Sequence, residues 1–117
     1  MVSLAEVSKF ALSYECTDES PHFEIISFRV KKKIFATLNK AEGRSCLKLS
    51  LIDQDVFSTT NSGIIFPVPN AWGKYGWTLV TLKRVKKTVF RDALNCAYCN
   101  VAPAALANKY RVSEDNI

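Results

Sequence analysis

Apolar residues recur at spacings of three and four from the start of the chain: Leu4, Val7, Ala11 and Tyr14, with Phe10 beside them. That period predicts an amphipathic helix. Ser3 followed by Glu6 is a capping-box pattern at its start. The helix should end near Glu15, before the polar run from Thr17 to Pro21. The period then changes. Ile25, Ile26, Phe28 and Val30 predict a strand over 24–30, three lysines interrupt it, and Ile34 to Leu38 resumes it. Two apolar runs joined by three polar residues predict a hairpin. A turn over 39–44 containing Gly43 leads to a third strand, Cys46 to Leu49, whose residues alternate. Ser50 and Asp53 can cap a short helix reaching about Phe57.

The run from Ile64 to Val68 contains Pro67, which cannot donate to a ladder, so it is expected at a sheet edge. After a loop over 70–76, Trp77 to Leu82 is predicted as the last strand. From about Lys86 a long helix begins. Val89, Ala93 and Ala97 share one side with Phe90, Leu94 and Val101 next to them, while Arg91, Asn95 and Cys99 fall opposite. Pro103 ends that helix and suits the first turn of a short final one over 104–110. A helix, a run of mostly antiparallel strands and then helices predict a single α+β domain over 1–117: one antiparallel sheet covered by helices.

A chain of 117 residues that is 48% hydrophobic can form a core without metal or disulfides. No apolar run approaches the roughly 18 residues of a membrane span, so no membrane partner is expected. Glu6 and Lys9 interrupt the apolar positions of the N-terminus, unlike a secretory signal. The expectation is a cytoplasmic protein whose four cysteines are free thiols. The net charge of +5 is uneven. Residues 83–111 hold seven Lys/Arg against Asp92 alone, a local +6 that favours anionic partners; Lys74 adds one charge and Glu114 with Asp115 removes two.

No catalytic constellation is readable. His22 is the only histidine, and no nucleophile or base is marked beside Pro21-His22-Phe23. Cys96-Ala97-Tyr98-Cys99 spells C-x-x-C, but Cys16 and Cys46 stand alone, so the second pair of a structural zinc site is missing. A redox pair belongs at a helix N-terminus, whereas this one falls in the last turns of its helix. Cys96 is expected against the core and Cys99 outward. No glycine pattern cradles phosphate, and Asp53 and Asp55 read as caps. No metal and no cofactor are expected. The densest stretch is Trp72-Gly73-Lys74-Tyr75-Gly76-Trp77, with three large aromatics, one cation and two glycines in six residues. Exposed, these rings could stack on bases or sugars; buried under the helices, they would fix the loop. The second role suits Trp77, which opens a strand.

Phe28-Arg29-Val30 leading to Lys33-Ile34-Phe35-Ala36-Thr37-Leu38, then Leu47-Lys48-Leu49, then Trp72-Gly73-Lys74 and Gly76-Trp77, resembles the MmcQ/YjbR-like proteins. Pro21-His22-Phe23 fits their segment before the first strands. The resemblance implies a small α+β fold similar to CyaY, with a double-wing shape, and a family label of DNA binding. It supplies no catalytic residues. The hairpin after Val30 commonly carries a glycine in that family, whereas Lys32 stands here, which makes the tip more basic and less pliable.

Two functions follow as expectations. The first is a non-enzymatic DNA-binding module with little sequence preference. Lys31, Lys32 and Lys33 would contact phosphates from a hairpin tip, Lys83, Arg84, Lys86 and Lys87 from the start of the long helix, with Lys74 between. The second is a small-molecule or protein-interaction domain using the Trp72–Trp77 loop, in a groove lined by Trp72, Tyr75 and His22. A metal role would need an acidic ridge, and Glu6, Glu15, Asp18 and Glu19 are too sparse for one. Whether the two lysine clusters share one face decides most between the readings: if they converge, phosphate binding gains weight, and if they diverge, it loses most of it.

Overall fold

The computed structural model describes residues 1–111; Glu114 and Asp115 lie outside them. Helix α1 spans Leu4–Leu12, and strands β1 Thr17–His22, β2 Ile25–Val30, β3 Lys33–Asn39 and β4 Arg44–Lys48 follow. Helix α2, Leu51–Thr60, leads to β5, Ile65–Pro67, a 3-10 helix over Ala71–Tyr75, and β6, Trp77–Thr81. Helices α3, Lys87–Val101, and α4, Ala104–Ala107, close the chain. The six strands form one sheet in the order β1-β2-β3-β4-β6-β5, with every neighbouring pair antiparallel.

Alternation divides that sheet into two faces. Ile26, Leu38, Ser45, Val80 and Ile65 stand side by side across five strands, as do Phe28, Ala36, Leu47 and Thr78 across four, and all are buried. Helices α1 and α3 pack on this side, α3 bringing Phe90, Ala93, Leu94, Ala97 and Tyr98. Successive strand residues point to opposite faces. The intervening rows therefore lie on the other side: Ser20, Ser27, Thr37, Cys46, Leu79 and Phe66 in one, and Ile25, Asn39, Arg44 and Thr81 in the next. Apart from the exposed Ile25, every side chain of these two rows is half-buried.

The predicted elements form, but α1 ends at Leu12 rather than near Glu15 and α4 at Ala107 rather than Tyr110, and there are four further differences. The capping box is complete, the Ser3 hydroxyl accepting from the Glu6 N–H and the Glu6 carboxylate from the Ser3 N–H. That carboxylate also meets the Lys87 ammonium of α3; the Lys87 contact first, and then the Ser3 N–H, hold its pKa down at about 2. The first difference is β1. The polar run from Thr17 to His22 pairs along its whole length with β2 as an edge strand. An edge strand needs one neighbour's backbone rather than an apolar side-chain row, so its pattern carries no strand signal.

Second, α2 continues three residues beyond Phe57. Third, Cys99 is buried rather than outward. Past Pro103 the chain folds α4 back over that side of α3, and the Cys99 thiol donates to the Ala107 carbonyl. Burial raises the Cys99 pKa, and it pushes Cys46 and Cys96 up to about 11, with the nearby Asp53 charge adding to Cys96. Fourth, Trp77 does not lie under the helices. Thr78 and Val80 take the buried face of β6, which leaves Trp77 half-buried on the other.

Candidate nucleic-acid interface

The strand register fixes where each basic residue stands. Strands β3 and β6 both run antiparallel to β4, so their starts lie at the same end of the sheet. Lys31 and Lys32 form the tight turn between β2 and β3, and Lys33 opens β3. Lys74 sits in the 3-10 helix that leads into Trp77, the first residue of β6. These four cations and the aromatic loop therefore share one end. Thr81 pairs with Arg44, which pairs with Asn39, so the end of β6 lies at the end of β3. Lys83 and Arg84 follow there, with Lys86 and Lys87 at the start of α3. Six residue steps of β3 separate the two ends, about 20 Å at the usual rise of a strand. The clusters expected to act together are at opposite ends, and Lys87 is engaged by Glu6.

His22 also stands apart. It pairs with Ile25, which pairs with Asn39, and so it occupies the Lys83 end rather than the Trp72 end. Its ring lies edge-on to Phe23, 4.6 Å between centroids. The groove expected from Trp72, Tyr75 and His22 keeps the first two and loses the third.

The shared end is built in layers. Lys31 and Lys32 have φ of 49° and 71°, the left-handed pair of a type I′ turn. The missing glycine does not prevent that turn; it leaves two lysines in a conformation that L-residues resist. On the open face below, Arg29 pairs with Ile34 across the strands, and its guanidinium donates to the Asp18 carboxylate at 2.8 Å. Lys48 pairs with Trp77, places its ammonium 5.6 Å from the Trp77 ring centroid, and donates to the Tyr75 carbonyl. Further along, the Arg44 guanidinium lies 5.9 Å from the Phe66 ring centroid. Ile34, Thr37, Cys46, Val68, Trp72 and Trp77 line a shallow apolar hollow of about 310 Å³ that lies open to solvent. Trp72 is 62% exposed and Tyr75 67%.

The loop that carries these rings is fixed from the opposite face. The amide nitrogen of Gln54, buried in α2, is 3.0 Å from the Gly73 carbonyl, 3.2 Å from the Trp77 carbonyl and 3.2 Å from the Thr78 hydroxyl. Asn70 caps the 3-10 helix, its side chain accepting from the Trp72 N–H at 2.9 Å. A Cβ on Gly73 would stand 2.1 Å from the Val68 carbonyl oxygen, and one on Gly76 would stand 1.9 Å from that of Leu49. Only glycine permits this close backbone packing.

A family model named YjbR matches residues 12–100. The chain belongs to the YjbR family. The match takes in the whole sheet and most of α3 of this YjbR domain. A crystal structure of a Deinococcus radiodurans protein with a DUF419 domain superposes on it with a TM-score of 0.77, covering 97% of this chain and 91% of that one at 18% identity. At that identity the likeness concerns the fold. No curated protein matches this YjbR domain. Among its described residues no helix is long and apolar enough to cross a membrane.

Sequence reasoning singled out Lys31–Lys33, Lys74, Trp72 and Tyr75 but treated the lysines and the aromatics as rival sites. It passed over Arg29, Ile34, Thr37, Cys46 and Lys48. For Arg29, Thr37, Cys46 and Lys48 the available signal was parity, since they alternate with the apolar residues of their strands, whereas Ile34 shares the parity of buried Ala36 and Leu38 and reaches the open face only through the register shift between β2 and β3.

Proposed function

We propose that this YjbR domain is a nucleic-acid-binding module with little sequence preference, and that its site is the end of the open sheet face around Trp72. The observation that carries this is the meeting of Lys31, Lys32, Lys33 and Lys74 with the aromatic loop at one end of the sheet, where the sequence alone left them as separate readings. Lysines hold phosphates as point charges and carry no base information. The apolar hollow beside them gives a bound chain something other than charge to touch. The Lys83–Lys87 cluster is outside this site, so the two clusters do not support phosphate binding jointly, and the reading rests on the four lysines beside the aromatic loop instead.

Charge reversal tests the assignment. Lys31→Glu/Lys32→Glu should weaken binding to unrelated sequences alike and flatten the slope of log K against log[salt]. Lys83→Glu/Arg84→Glu should change neither by more than about twofold. With about 3–5 phosphates engaged, the slope should be close to −0.9 per phosphate on duplex or −0.7 on a single strand. No binding at low salt to either form, or equal losses from both double variants, would remove this reading. The second reading, a small-molecule or protein partner on the Trp72–Trp77 loop, is favoured by the apolar lining of the hollow. It predicts binding that salt leaves unchanged.

A further inference from the structure

Resting on the nucleic-acid reading, we infer that the occupant of the open face is an unpaired strand, with one base stacked on Trp72 and Gln54 as the positioning residue behind it. A duplex presents phosphates and base edges, and its base faces are closed by stacking. Only an unpaired strand has free faces to lay on a ring, and sheet-face aromatics beside cations hold such strands through stacking. Trp72 offers that ring at the rim of a hollow floored by Ile34, Thr37, Cys46 and Trp77. Lys33, Lys74 and Lys48 stand at the same end, where the backbone of a stacked strand would pass. The lining has few groups able to read a base edge, which fits sequence tolerance.

Order before binding is the second argument. A ring on a loose loop would have to be immobilised by its ligand, which weakens binding. Here Gln54 reaches through from the helix-covered side to the carbonyls on both sides of Tyr75, and Gly73 and Gly76 let the backbone close on Val68 and Leu49. The loop is held by backbone groups, so Trp72 itself is left out of the core and free to face a ligand.

The test titrates the full chain with fluorescein-labelled oligo(dU), oligo(U) and a duplex of equal length, following anisotropy and tryptophan fluorescence. One or both single strands should bind at least tenfold more tightly than the duplex and quench tryptophan emission; the tighter of the two names the sugar. Trp72→Ala, at an exposed position, should leave the fold intact and weaken single-strand binding about 5- to 100-fold. Trp72→Phe should recover most of it. Gln54→Leu should weaken single-strand binding and reduce the quench reached at saturation, whereas general destabilisation would lower the apparent affinity but restore the full quench once ligand saturates the folded form. Duplex binding as tight as single-strand binding, or an unchanged affinity in Trp72→Ala, overturns the inference. If Lys31→Glu/Lys32→Glu still weakens binding in that case, the nucleic-acid reading survives it.

Discussion

Adding one methyl group at different glycines separates backbone conformation from close packing. Gly43 has φ of +64° with nothing within 4 Å of where a Cβ would stand, so Gly43→Ala meets only the left-handed penalty of about 1–2 kcal/mol. Gly76 has φ of +98° and would place its Cβ 1.9 Å from the Leu49 carbonyl oxygen. Relieving that overlap requires about 1 Å of backbone movement where β4 leads into α2. It also strains the bond from the Leu49 N–H to the Gly76 carbonyl, 3.0 Å long and worth about 1 kcal/mol net. Conformation, overlap and the lost bond together place Gly76→Ala at about 3–5 kcal/mol, in the range of severe substitutions. Gly73→Ala has no positive φ to oppose it and isolates the overlap, 2.1 Å from the Val68 carbonyl oxygen; about 2–4 kcal/mol is expected. At about 4 °C per kcal/mol for a domain of this size, thermal melts followed by circular dichroism should fall by about 4–8 °C for Gly43→Ala and by about 12 °C or more for Gly76→Ala. Equal melting temperatures for Gly43→Ala and Gly76→Ala would refute the close approach, and with it the rigid loop on which Trp72 is presented.

Lys31→Asn/Lys32→Gly suits the left-handed turn and should raise the melting temperature by about 4 °C while weakening nucleic-acid binding; a lower melting temperature would count against the I′ assignment. The Glu6 carboxyl has its folded pKa depressed to about 2 from an ordinary 4.5, so its contribution is present above pH 4.5 and is lost as pH falls through 2. Wild type should therefore lose more stability than Glu6→Gln between about pH 5 and about pH 2, and parallel acid titrations of the two would disprove the pairing with Lys87. Of the four thiols, exposed Cys16 should react first with an aromatic disulfide at about pH 8, half-buried Cys46 and Cys96 more slowly because their thiols are held up, and buried Cys99 fully only after denaturation; fast reaction at Cys99 would contradict its burial.

Local periodicity determined most of this protein. The capping box at Ser3, the i, i+3, i+4 stripe of α1, the lysine turn of the β2–β3 hairpin and Pro67 on an edge strand are properties of a few neighbouring residues, and each appears where its pattern lies. Strand β1 escaped because an edge is held by backbone pairing, which the side chains of Thr17–His22 do not record. The inward turn of Cys99 escaped because α4, more distant along the chain, covers it. The site depended on tertiary structure for the same reason. Lys31–Lys33 and Trp72 are some forty residues apart, and His22 lies closer in sequence to the lysines than Trp72 does. Only the order β3-β4-β6, with β3 and β6 running the same way, puts Trp72 and the lysine turn at one end and sends His22 and Lys83 to the other. That order follows from which apolar faces bury best under α1 and α3, a long-range choice that no local spacing encodes.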